Sequence, residues 1–130
     1  MRVLLVEDEV RLAENIASAL RENLQCSVDL AEDGENALSF VQLRSYDVVV
    51  LDLMLPRMCG IDVLTRLRVA KCRVPVLILT ANHDKAAVIR SFQAGADDYI
   101  EKPFDLAELL ARIKALAAES SNALLGSRFS

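Results

Sequence analysis

Five side chains have the types needed to move a phosphoryl group: Glu7, Asp8, Asp52, Thr80 and Lys102. A carboxylate such as Asp52 is ionised at neutral pH, with an unperturbed pKa of about 3.9, so it can attack phosphorus without an activating base. Its difficulty is electrostatic, because a phosphoryl donor is itself anionic and Glu7 and Asp8 add negative charge. A hard divalent cation removes that barrier, and Mg²⁺ suits carboxylate and carbonyl oxygens because it keeps waters that a phosphoryl oxygen can displace. Asp8 and Asp52 are the expected direct side-chain ligands. Lys102 offers a compact positive charge for a phosphate, Thr80 a hydroxyl that can donate to a phosphoryl oxygen, and the small Ala81 leaves room for a donor.

Each residue also has a plainer reading. An Asp closing an apolar run is a common turn or cap residue. Glu7-Asp8-Glu9 before a helix complements its positive end, Thr80 has good strand propensity, and Lys102 before Pro103 reads as a solvated turn residue. Their common position in the fold favours the chemical reading. Short apolar runs at Val3–Val6, Cys26–Leu30, Val48–Leu53, Val74–Leu79 and Tyr99-Ile100 read as five strands, the third and fourth apolar on both faces and hence central. Between them lie helical patterns, clearest at Val10–Asn23 and Leu106–Leu116. Alternation of strand and helix predicts an α/β, doubly wound parallel sheet with helices on both faces. The five candidate residues then stand at strand exits along one sheet edge, where open α/β sheets bind ligands.

A chain of 130 residues fits a single domain with a real core. Its net charge of −4 gives no electrostatic footprint for nucleic acid or an anionic membrane. Three cysteines, Cys26, Cys59 and Cys72, are too few and too scattered for a disulfide framework. The opening apolar stretch is cut short by Glu7-Asp8-Glu9, and no run approaches the roughly 18 apolar residues of a membrane span, so the expectation is a cytoplasmic protein with no membrane association. The segment 120–130 loses the amphipathic pattern and reads as a linker or disordered tail after a domain spanning 1–119. His83 reads as an exposed loop residue, and Cys59 as a thiol beside the cleft.

The segments VLLVEDE, VVVLDLMLPRMCG, VLILTA and GADDYIEKPF resemble the receiver domains of two-component response regulators over about residues 1–119. The resemblance implies a five-stranded sheet of order 2-1-3-4-5 with five helices, the CheY-like fold. It implies Asp52 as phosphoacceptor for a sensor histidine kinase, and Mg²⁺ bound by Asp8, Asp52 and the Met54 backbone carbonyl with Glu7 in the acidic group. It also implies Thr80 and Tyr99 as a switch pair, Lys102 as the phosphate-contacting lysine, and a cis Lys102–Pro103 bond. ADDYIEKPF followed by LLARIKAL is most similar to the winged-helix transcription-factor (OmpR/PhoB) class, in which a DNA-binding domain follows the receiver. For that class the resemblance implies a phosphorylation-promoted homodimer through the fourth helix, fifth strand and fifth helix, using Asp97, Asp98, Glu108 and Arg112. Two departures stand out: Cys59 replaces the usual Asp, and Val88 replaces a usual Arg or Lys, which leaves Glu108 without its expected partner unless Lys85 substitutes.

Other functions are less well matched. A stand-alone receiver acting on a partner protein fits the same motifs. A phosphohydrolase with an aspartyl nucleophile typically carries a second Asp two residues on as general acid, and that position is Met54, so the expected aspartyl phosphate would be slow to hydrolyse. A flavin carrier would need a polar, uncharged first loop in place of Glu7-Asp8-Glu9.

Overall fold

The computed structural model describes residues 1–81 and 85–129, with side chains through Glu119. His83 lies outside the described residues, as do the side chains of the tail. Five parallel strands, β1 (Arg2–Val6), β2 (Ser27–Ala31), β3 (Val48–Asp52), β4 (Val76–Thr80) and β5 (Asp98–Glu101), form one sheet of order β2-β1-β3-β4-β5. Five helices follow them in turn: α1 (Val10–Leu24), α2 (Gly34–Leu43), α3 (Gly60–Val69), α4 (Lys85–Gln93) and α5 (Leu106–Phe129). The α/β architecture, strand order and helix count match expectation. The predicted boundary near residue 119 falls inside α5.

Alternation along the strands sorts the core into two layers. Val3, Leu5, Val48, Val50, Leu77, Leu79 and Ile100 pack against Ile16 and Leu20 of α1 and Leu109 and Ile113 of α5. Leu4, Val6, Val49, Leu51, Val76 and Ile78 pack on the other face against Val63, Leu64 and Leu67 of α3. Burying each large aliphatic side chain stabilises the fold by about 1.5–3 kcal/mol. β1 lies inside the sheet between β2 and β3, as the implied order places it, and is buried from Val3 through Val6.

Local signals set the helix ends. Asp33 caps α2, its carboxylate accepting from the Asn36 N–H at 2.8 Å. α1 ends at Gln25 in the left-handed region, φ 50°, which satisfies the last turn at a conformation usually left to glycine. The Lys102–Pro103 peptide is cis.

Candidate functional site

The alternation that builds the first core layer also builds the site. Glu7 lies two residues beyond Leu5, Asp52 two beyond Val50, and Lys102 two beyond Ile100, so each continues the face shared with α1 and α5 past the apolar strand. Val6 pairs with Leu51, which sets Glu7 and Asp52 level at the strand ends. Lys102 Nζ donates to Asp52 Oδ2 at 2.7 Å and to Glu7 Oε2 at 3.0 Å. The second Asp52 oxygen accepts from the Met54 N–H at 2.8 Å. Both oxygens of Asp52 are therefore held.

Glu7 and Asp52 are 3% and 2% exposed, close to complete desolvation for two carboxylates sharing one ammonium group. Burial, with the adjacent Asp52 carboxyl, pushes the Glu7 pKa up to about 7 against the opposing bonds from Lys102 and the Glu9 N–H. Burial alone would lower the Lys102 pKa, but its bonds to Asp52 and Glu7 outweigh that effect and raise it.

Carboxylate oxygens of Glu7, Asp8 and Asp52 lie within 4.8 Å of one another, and Asp8 is exposed while the other two are buried. The donors are all hard oxygens opening to solvent on the Asp8 side, which fits an oxygen-seeking divalent cation better than a soft metal. Among the described residues, one lysine bonds two of these three acidic side chains and leaves Asp8 to the solvent side. A cation would meet the group from that side.

Thr80 is 3% exposed at the end of β4. Ile78 pairs with Tyr99 and Thr80 with Glu101, so Thr80 and Tyr99 share a sheet face one strand apart. The half-buried Tyr99 ring meets Phe92 of α4 edge-on, centroids 5.9 Å apart, linking β5 to α4.

The charges expected at a dimer face are engaged within the chain. Arg112 donates to both Asp98 oxygens at 3.0 and 2.9 Å, and to Glu108 at 3.2 and 3.0 Å. Within the chain Glu108 pairs with Arg112, one turn on along α5. Asp97 instead accepts from Arg68 at 3.2 Å and from the Val76 N–H at 2.8 Å. Arg68, which no sequence motif marks, also donates to the carbonyls of Cys72, Val74 and Gly95 and ties α3 to the start of β4 and the turn before β5.

The family described as response regulator receiver domain matches residues 3–114. The transcriptional regulatory protein DltR of Streptococcus agalactiae is 45% identical over 121 residues, covering 93% of this chain and 54% of its own. The response regulator MprA of Mycobacterium leprae is 44% identical over 116 residues, covering 89% and 50%. The chain spans about half the length of these curated relatives. Among solved structures, the Francisella response regulator 1452 receiver domain superposes with a TM-score of 0.87 at 34% identity, covering 92% of this chain and 98% of that one. A putative response regulator from Chloroflexus aurantiacus gives 0.83 at 36%, covering 90% and 97%.

Proposed function

The chain belongs to the response regulator receiver domain family, and from that premise we propose that it is a phosphorylation-controlled switch whose acceptor is Asp52. The observation that carries this reading is the buried Asp52 carboxylate, held at 2.7 Å by Lys102 and grouped with Glu7 and Asp8 at the sheet edge. An Asp52 oxygen forms the new O–P bond as the bond from phosphorus to the donor's leaving atom breaks, and the electron pair departs with the donor. With a small acyl phosphate the leaving group is a carboxylate and needs no proton. Glu7, Asp8, Asp52 and the Met54 carbonyl would hold Mg²⁺, which when bound supplies positive charge against the repulsion between carboxylate and phosphoryl oxygens. Lys102 remains as the ammonium partner of the new phosphoryl group, and Thr80 turns its hydroxyl toward it.

Turnover is slow because Met54, two residues past Asp52, offers no acid or base. The product persists as a signal that passes through Thr80 to Tyr99 and, by the Tyr99–Phe92 ring contact, to α4. The donor is a sensor histidine kinase, and the output is transcriptional, through a DNA-binding region beyond the receiver fold of 1–119. The test is intact mass after incubation with acetyl phosphate. One phosphoryl adduct should form with Mg²⁺ and none with chelator; an unlabelled chain would refute the reading.

Asp8 provides the most accessible carboxylate of the three. Asp8→Ala should weaken Mg²⁺ binding at least tenfold, about 1.4 kcal/mol, read by calorimetric titration. An unchanged titration would remove Asp8 from the ligand set.

Phosphorylation promotes a homodimer through α4, β5 and α5. Because Arg112 is already held by Asp98 and Glu108, cross-chain ion pairs must replace existing ones, and exposed pairs contribute only about 0.2–1 kcal/mol each. The dimer should therefore be weak. Sedimentation of the phosphorylated form should show reversible association that Arg112→Glu abolishes and Val88→Arg strengthens severalfold; indifference to both would place signalling on another surface.

A further inference from the structure

The segment joining Asp52 to α3 makes an unusual turn. The Met58 N–H donates to the Pro56 carbonyl at 2.7 Å, and Arg57 between them has φ 68°. A three-residue turn closed this way with a positive central φ is the rarer and more strained hand of the γ-turn, and Arg57 is not a glycine that would adopt it freely. Such a conformation persists only where surrounding contacts over-determine it.

Those contacts come from the start of α2. Met58 is half-buried and packs on the α3-side core. It sits over Gly34, the first residue of α2: an ideal Cβ there would lie 3.1 Å from Met58 Sδ and 2.6 Å from Val63 Cγ2. No side chain fits at Gly34 while Met58 and Val63 hold these places. Arg57 adds a long ion pair, 4.0 Å, to Asp33, the α2 cap residue. The far end of the segment is fixed on Asp52 itself, since the Gly60 N–H donates to the Leu53 carbonyl at 3.0 Å and a Cβ on Gly60 would lie 2.5 Å from the Asp52 carbonyl oxygen. Between these anchors lies Met54, whose N–H holds Asp52 Oδ1.

We propose that Met58, seated over the bare backbone of Gly34, is a positioning residue that holds the strained Arg57 turn and through it the Met54 backbone against Asp52. This rests on Asp52 being the phosphoacceptor. The packing contact on α2 sets the geometry of a loop whose ends lie at the reacting carboxylate, and small displacements there change rates strongly. Loss of the Met58 side chain frees the turn to relax toward an ordinary conformation, which carries Met54 away.

The test compares Met58→Ala, Met58→Leu and Ile113→Val in the full chain. Ile113→Val trims the core on the opposite face of the sheet and controls for stability alone. Labelling by acetyl phosphate at saturating Mg²⁺ is followed by intact mass, Mg²⁺ affinity by titration, and thermal midpoint by circular dichroism. Met58→Ala should label about tenfold more slowly and bind Mg²⁺ severalfold more weakly. Met58→Leu, of similar volume, should recover both, and Ile113→Val should label at the native rate despite its lower midpoint. Native labelling and Mg²⁺ affinity in Met58→Ala would overturn the positioning role and leave the acceptor reading intact. Equal slowing by Ile113→Val would reduce Met58 to ordinary core packing. Absence of labelling in the native chain would overturn both.

Discussion

Asp52→Asn is expected to take up no phosphoryl group from acetyl phosphate under conditions in which the native chain gains one. The substitution keeps the side chain's size and leaves a carbonyl oxygen to accept the Met54 N–H, so the loop keeps its bond. It removes the nucleophilic anion, for which an amide oxygen is no substitute. Lys102 keeps its bond to Glu7 at 3.0 Å, which leaves that buried carboxylate paired. The thermal midpoint should consequently change by only a few degrees while labelling is lost entirely, a separation that a folding defect cannot mimic. Labelling at the native rate would sink the assignment, and peptide mapping of the adduct would then distinguish Glu7 from Asp8.

The position of this site was legible because it follows from two regular features. Strand and helix alternate, so every strand exit lies on one edge, and the period of two carries Leu5 to Glu7, Val50 to Asp52 and Ile100 to Lys102 on a single face. The inner place of β1 came with the strand order that the family resemblance implies and not from alternation alone, because spatial order depends on where each crossover returns the chain. The charge pairs divide in the same way. Glu108 and Arg112 are four apart on α5 and pair within the chain, a contact local enough to follow from spacing alone. Arg68 and Asp97 are 29 residues apart and meet only through tertiary packing. Pro56 and Gly60 mark a loop between β3 and α3, but neither shows that Arg57 takes the positive φ; that is imposed by Met58 and Gly34 from opposite sides of a helix contact. Local chemistry thus marks the side chains that gather at the sheet edge, while the devices that hold them rest on non-local contacts.

Lys102→Ala should have the largest effect on stability. In the absence of metal its ammonium group is the cation that bonds both buried carboxylates, at 2.7 Å to Asp52 and 3.0 Å to Glu7. Removing one member of a buried ion cluster leaves uncompensated charge, and because the lysine is still 19% exposed the expected loss is about 3 kcal/mol, the low end for such sites. Urea denaturation in chelator should show a lower midpoint with an unchanged slope. Neutralising one of the stranded groups tests the cause directly. Asp52→Asn in the Lys102→Ala background should recover at least about 1 kcal/mol, since an amide costs far less to bury than the carboxylate that Lys102 holds at 2.7 Å. Asp52→Asn alone should show no such gain, because it takes a charged acceptor away from the native Lys102 ammonium group. Additive losses in the double variant would mean that Lys102 stabilises the fold through the packing of its stem, and the electrostatic account of the site would fail.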